Sequence, residues 1–208
     1  MICLYIDTSS QYLYTGIVKD DHLLVETQLE LGQQLSQQAL PEIIKNFEKV
    51  SLRPQDVDTI IVVNGPGSFT GIRIGITIAK AMAWTLHKKI IPISGLQAMA
   101  LSSENAKYYV PLIDARRGYV FGAIYDQKMD AILEDQYFSY QELVSQMEQL
   151  SDIKIITNDS FDTTMSVEKY HPNILRIVQS FEKSDGVNPH LINPNYLKRT
   201  EAEEKANI

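Results

Sequence analysis

The chain has 208 residues, 44% apolar and 22% charged, a balance that excludes a disordered or fibrous polypeptide. Its formal charge, 19 − 26 = −7, excludes a global electrostatic footprint for nucleic acid or an anionic membrane, so any RNA contact has to be local or supplied by a partner. A lone cysteine, Cys3, excludes an internal disulfide or cysteine metal cluster and points to a reducing compartment.

At this length folding buries about 0.7 of the extended surface, enough for one large core or two small lobes. Asp7 arrives before a signal-peptide apolar stretch could form, and no basic leader precedes it. The longest apolar segment, Ile72 to Leu86, carries Arg73 and Lys80. A cytoplasmic protein without a membrane span is therefore expected.

Ile2 to Ile6, Tyr12 to Lys19 and His22 to Glu30 are apolar or alternating and are separated by short polar turns, which predicts three successive antiparallel strands. From Gln33 to Val50 the period changes. Leu35, Ala39, Ile43 and Phe47 fall on one stripe, predicting an amphipathic helix with a kink at Pro41. Thr59 to Val63 reads as a strand, a helix follows as far as Leu86, and Ile90 to Ile93 is a further strand.

The second half restarts this order. Strands are predicted at Tyr109 to Ile113, Tyr119 to Tyr125 and Ile132 to Phe138, then a helix at Tyr140 to Leu150 and a strand at Lys154 to Thr157. The local text echoes as well: Tyr5-Ile6-Asp7-Thr8 followed by Gly16 returns as Leu112-Ile113-Asp114-Ala115 followed by Gly122. The expectation is a duplicated α/β chain with lobes at 1–103 and 104–208, the second reduced. Asn173 to Phe181 holds one more element, and Glu201 to Ile208 is a solvated tail.

The densest motif is Gly65-Pro66-Gly67-Ser68-Phe69-Thr70-Gly71-Ile72-Arg73-Ile74-Gly75, between a strand and a helix. Such glycines let a backbone approach a ligand or a neighbouring element, and a helix N-terminus offers N–H groups to an anion. Neither phosphate pattern is met, however. Gly67 and Gly71 are separated by three residues rather than four, Ile72 stands where a lysine belongs, and no acidic residue follows the next strand at Ser94-Gly95.

Two Asp-started turns, Asp7-Thr8-Ser9 and Asp114-Ala115-Arg116, hold places where actin-like and sugar-kinase-like ATPases bind metal and phosphate, but neither has a glycine straight after the Asp. They read as vestigial nucleotide loops. Ser68 lacks the glycine a nucleophile elbow needs two residues upstream, and His22, His87, His171 and His190 include no i, i+4 pair. No catalytic residue, metal or cofactor is expected.

The glycine motif, with Ile6-Asp7-Thr8-Ser9, Leu40-Pro41, Ile113-Asp114-Ala115-Arg116 and Pro194-Asn195-Tyr196-Leu197-Lys198, resembles the TsaB (YeaZ) family. The resemblance implies a two-lobed actin/hexokinase-like (ASKHA) fold and a non-catalytic scaffold role. The scaffold would pair with TsaD, joined by the ATPase TsaE, in the complex that adds threonylcarbamoyl to adenosine next to the tRNA anticodon. It further implies that tRNA is reached only through the complex, and it leaves open a homodimer when TsaD is absent. Where many relatives have His-Ser before the Leu-Pro of the first helix this chain has Leu35-Ser36, and 170–189 looks short of helix.

The partner surface is expected on two helices, at Leu35, Ala39, Ile43 and Phe47 and at Ile72, Ile74, Ile76, Ile78 and Ala81. On the second helix Ile72, Ile76, Ala79, Ala83 and Leu86 form one stripe. Ile74, Ile78 and Ala81 form another, about 160° away at roughly 100° per residue. One stripe should face the chain's own sheet and the other a partner. The alternative reading is a small stand-alone ASKHA-type kinase or ATPase; a peptidase, with neither nucleophile nor metal site, ranks last.

Overall fold

The structure, a computed structural model, describes residues 1–198. The tail expected at 201–208 lies outside the described residues. Strands β1 (Ile2–Asp7), β2 (Tyr12–Lys19) and β3 (His22–Glu30) are followed by helix α1 (Leu35–Lys49), β4 (Thr59–Val63), α2 (Phe69–Leu86) and β5 (Lys89–Ile93). They build a five-stranded sheet of order β3-β2-β1-β4-β5, antiparallel on the hairpin side and parallel across β1, β4 and β5. Pro92 sits on the edge strand β5, where a missing N–H costs no ladder bond.

A short helix, α3 (Gly95–Leu101), leads to β6 (Tyr108–Asp114), β7 (Tyr119–Asp126), β8 (Ala131–Ser139), α4 (Tyr140–Met147), β9 (Ile153–Ile156), β10 (Ser166–Glu168) and α5 (Ile174–Phe181). The second sheet runs β8-β7-β6-β9-β10, the first sheet's order with β6 in the place of β1. The textual echo is spatial: Tyr5 pairs with Gly16 and Leu112 with Gly122. Asp7 pairs with Tyr14, seven residues on, and Asp114 with Val120, six on, so the spacing difference between the echoes lies in the turn. The reduction of the second half is equally specific, since β9 connects to β10 without the helix that α2 provides between β4 and β5.

Alternation within buried strands gives each sheet two covered faces. Leu4, Ile6, Ile60, Val62 and Ile90 pack with Ile43 and Phe47 of α1 and Ile72, Ile76 and Ala79 of α2. Cys3, Tyr5, Tyr14, Ile61 and Val63 turn the opposite way, into a core shared with Tyr109, Ala123 and Tyr125 of the second sheet and with α3 and α5. Val110, Leu112, Val120 and Ile155 face α4. The layers are thus helix, sheet, helix, sheet, helix.

Sequence periodicity does not predict α3 or β10. The first is apolar at every position but Gln97 because it is wedged between the sheets, with Leu96, Ala98, Met99, Ala100 and Leu101 all buried. The second is only three residues long. The element expected at 173–181 is α5, capped by the Asn173 side chain accepting from the Arg176 amide, and it packs back on β1, β2 and β3. Helix α1 continues through Pro41 without interruption.

Ile177 is fully buried in the shared core. Ile177→Ala should therefore lower unfolding stability by about 2–5 kcal/mol in urea titration. A loss below about 0.5 kcal/mol, the range of ordinary surface substitutions, would show that α5 does not close the centre of the molecule.

Candidate functional site

Helix α2 starts at Phe69, its N-cap Ser68 accepting the Gly71 amide at 3.2 Å. Its first two turns lie directly on the turn that follows β1. A Cβ at Gly67 would stand 2.3 Å from the Ser9 carbonyl oxygen, one at Gly71 2.0 Å from that of Thr8, and one at Gly75 2.4 Å from Thr8 Oγ1. Only glycine permits this approach, and the Ser68 amide donates to Ser9 O at 2.7 Å while Thr8 Oγ1 donates to Gly71 O at 2.7 Å. The glycine motif and the Asp7-Thr8-Ser9 turn, which read as separate features in the sequence, are the two halves of one contact.

Asp7 is 2% exposed and absent from the lining of the neighbouring cleft. Its carboxylate accepts from the Ser9 amide at 2.8 Å and from Ser9 Oγ at 2.7 Å. Burial raises its pKa, against the lowering effect of these bonds. Tyr5 donates to Asp7 at 3.5 Å, and the buried Tyr170 hydroxyl lies near the same carboxylate without a hydrogen bond of normal geometry. Desolvation pushes both phenols well up, and Tyr14, edge-on to Tyr170 at 5.5 Å, is pushed up to about 12.

The second turn stands across a cleft of about 590 Å³ lined by Ser9, Ser10, Gly67, Ser68, Gly71, Asp114, Asn158, Asp159, Phe121 and Tyr170 among others. Its lining holds two carboxylates, Asp114 and Asp159, and no lysine or arginine. A polyphosphate entering it would meet repulsion without a compensating cation. Asp159 accepts the Asp114 amide at 2.8 Å and Asp114 accepts the Arg116 amide at 2.8 Å, while Arg116 itself is exposed. Among the described residues no group of three or more His, Cys, Asp or Glu could hold a metal ion.

Asn158, Asp159 and Tyr170 escaped the sequence reading. The available signal was the polar step after β9, since open α/β sheets gather ligands beyond the C-terminal ends of parallel strands.

Residues 193–198 lie against the glycine motif from the far end of the chain. The Asn195 amide donates to Asn64 O at 2.7 Å, and a Cβ at Gly65, whose φ is 125°, would meet Asn195 O at 2.6 Å. Tyr196 stacks on Phe69 at 5.0 Å, and the guanidinium of Arg73 sits 3.9 Å over the Phe69 ring while donating to the Tyr196 hydroxyl at 2.7 Å.

The two stripes of α2 separate clearly. Ile72, Ile76, Ala79 and Ala83 are buried on their own sheet, whereas Ile74 and Ile78 are half-buried and Ala81 is exposed. Of the residues expected at a partner surface, Leu35, Ala39, Ile43, Phe47, Ile72 and Ile76 all turn inward, because an amphipathic helix on a sheet covers the core with its most apolar line. Outward, Ser36, Leu40, Phe69, Thr70, Arg73, Ile74, Thr77 and Ile78 border a groove of about 470 Å³ between α1 and α2. Leu40 and Phe69 remain 45% and 46% exposed there.

Gly71→Ala should cost 1 kcal/mol or more in chemical denaturation, about the penalty of a lost backbone fit, because Thr8 O is backbone and cannot swing aside. Asp7 supplies a pH signature. Its folded pKa is raised, so the stabilisation it offers is fully present below the unfolded pKa and is lost as pH rises through the folded value. Asp7→Asn should flatten that limb of the melting-temperature profile and leave the protein at least as stable at neutral pH. An unchanged profile would show that Asp7 is charged at no cost.

The family model of TsaD, tRNA N6-adenosine threonylcarbamoyltransferase, matches residues 30–171. A TsaB protein of tRNA threonylcarbamoyladenosine biosynthesis from Bacillus subtilis is 26% identical over 99% of this chain and 97% of its own length. The TsaB proteins of Haemophilus influenzae and Escherichia coli are 34% and 31% identical over 56% and 64% of this chain, matching 51% and 58% of their own lengths. YeaZ from Pseudomonas aeruginosa superposes with a TM-score of 0.76 at 19% identity, covering 94% of this chain and 99% of that one. A second Pseudomonas aeruginosa structure, of a protein with similarity to peptidase YeaZ, gives a TM-score of 0.80 at 20% identity, covering 95% and 99%. With its two sheets of matching strand order and its match to the TsaD model over more than half its length, the chain belongs to the TsaB (YeaZ) family of tRNA threonylcarbamoyladenosine biosynthesis proteins.

Proposed function

We propose that this chain is a non-catalytic scaffold of the tRNA-modifying complex and that it pairs with TsaD through the outer face of α1 and α2. The observation that carries the reading is the divided helix α2. One apolar stripe closes the chain's own core, while Ile74 and Ile78, half-covered by Leu35 and Ala39 of α1, join the exposed Ala81, Leu40 and Phe69 in a second apolar face that the chain covers only in part.

In this reading the chain divides into lobes at 103/104, and the cleft between the two sheets is ill suited to a nucleotide, since Asp7 is enclosed and the cleft lining lacks cations. This favours scaffold over stand-alone kinase. TsaD would perform the transfer with TsaE joining the pair, and the same apolar face would serve a homodimer in TsaD's absence.

Ile72→Glu with Ile76→Glu should unfold the chain, because both sites are buried and an unpaired carboxylate there is costly. Ile74→Glu with Ile78→Glu should leave it folded and abolish co-elution with TsaD. Leu40→Glu with Ala81→Glu, both on exposed positions, guards against the half-buried pair unfolding for its own reasons. If both outward double variants fold and bind TsaD at unchanged affinity, the interface lies elsewhere. Transfer to tRNA should require TsaD, TsaE and the activated donor; transfer by this chain alone, surviving repurification, would overturn the scaffold reading.

A further inference from the structure

At the outer rim of the cleft, away from the α1–α2 groove, the β6–β7 turn carries side chains that neither feature explains. Three successive residues there are left-handed: Arg116 at φ 71°, Arg117 at 58° and Gly118 at 77°. Glycine and asparagine enter that region readily, whereas long side chains rarely do, so backbone conformation alone disfavours arginine at both positions. Nor do the arginines hold the turn. Backbone bonds do so, from Tyr119 N to Arg116 O at 3.1 Å and from Ala115 N to Tyr119 O at 2.9 Å. Both arginines are exposed, and neither guanidinium forms an ion pair among the described residues.

The turn opens onto an aromatic ladder. Tyr119, 41% exposed, stacks on Tyr137 with centroids 4.9 Å apart and planes 10° from parallel. Phe121, two residues along the same face of β7, tilts against Tyr137 at 5.6 Å, and Lys198 Nζ lies 5.0 Å from the Tyr137 centroid. Two carboxylates stand close by, Asp114 and Asp159; both line the cleft, on the other side of the turn from solvent-exposed Arg116 and Arg117, and each accepts a backbone amide, which does not cancel its charge. An exposed flat ring flanked by cations is what an unpaired base and its phosphates require, and single-strand platforms are built in this way.

We propose that this corner is an RNA contact: Arg116, Arg117 and Lys198 hold phosphates while an unpaired base stacks on the Tyr119–Tyr137 pair. In place of RNA reached only through a partner, the chain then touches RNA itself. A net charge of −7 repels the polymer elsewhere, so a local basic corner also fixes where it docks. The identification of the RNA as tRNA rests on the reading of the chain as part of a tRNA-modifying complex; the recognition chemistry asks only for a looped or single-stranded segment.

The test is binding of an unmodified tRNA transcript to the full chain, alone and with TsaD, across a salt series. Arg116→Asn with Arg117→Asn removes both charges and suits the left-handed backbone, so this variant should melt at the parent's temperature or above. Its affinity should fall about tenfold or more, and the slope of log affinity against log salt should flatten by about 1.4, two phosphates at about 0.7 each. Tyr119→Ala should weaken binding about fivefold or more and leave the slope unchanged.

A folded double-arginine variant with the parent's affinity and slope would overturn the proposal, as would a parent that binds no tRNA in either form. Variants that bind tRNA normally but no longer co-elute with TsaD would make the corner a protein contact, also against the proposal. Co-elution of the parent with TsaD is read separately. RNA binding without pairing sinks the scaffold reading alone, and pairing without RNA binding sinks this one alone.

Discussion

The close approach of α2 to the turn after β1 is the constraint on which the rest of the structure depends. Gly67, Gly71 and Gly75 present bare backbone to Thr8 and Ser9, and the carbonyls and hydroxyl of that turn are occupied by the helix. With α2 at this height, Ile72, Ile76 and Ala79 reach the sheet and the helix seals one face of the first core. The same placement turns Ile74, Ile78 and Ala81 away from the sheet, toward the groove beside α1, so the position of this second stripe follows from a contact made on the other side of the helix.

That contact also determines what the cleft can do. A turn that served phosphate or metal would have to stay open to them. Here Asp7 is closed off, its Oδ1 accepting both bonds from Ser9 and its Oδ2 facing the Tyr5 hydroxyl. The cleft survives as a shape between two sheets, with carboxylates and no cation on its lining. Cationic side chains stand on the outer surface instead, Arg73 beside Phe69 and Tyr196 and Arg116 and Arg117 on the β6–β7 turn. A fold can keep its architecture after its site has changed use, since sheet topology is held by apolar burial and a site by a few polar atoms.

The docking of 193–198 on the glycine motif joins parts of the chain more than a hundred residues apart. Gly65 is needed because Asn195 O passes where its side chain would be, and Tyr196 completes the ring pair that carries Arg73. Three of the five stretches that resemble the TsaB family, Ile6 to Ser9, Gly65 to Gly75 and Pro194 to Lys198, are thus neighbours in space.

Much of this was legible from residue order alone. Alternation in 2–30 and 109–138 gives the two hairpin sheets, the 3.6-residue stripes give α1 and α2, and the echo of Asp7 with Gly16 in Asp114 with Gly122 gives the duplication, because each is a local pattern imposed by burial on one or two faces. What only the tertiary structure decided is which partner each pattern meets. Periodicity shows that α2 has two apolar stripes but not that Ile72 faces the sheet and Ile74 the groove. It cannot show that the glycines serve Thr8 and Ser9 rather than a phosphate, since both uses ask for the same bare backbone. Helix α3 was hidden because burial on all sides erases periodicity, and the pairing of Tyr119 with Tyr137 because cross-strand neighbours are set by register, which no single strand records.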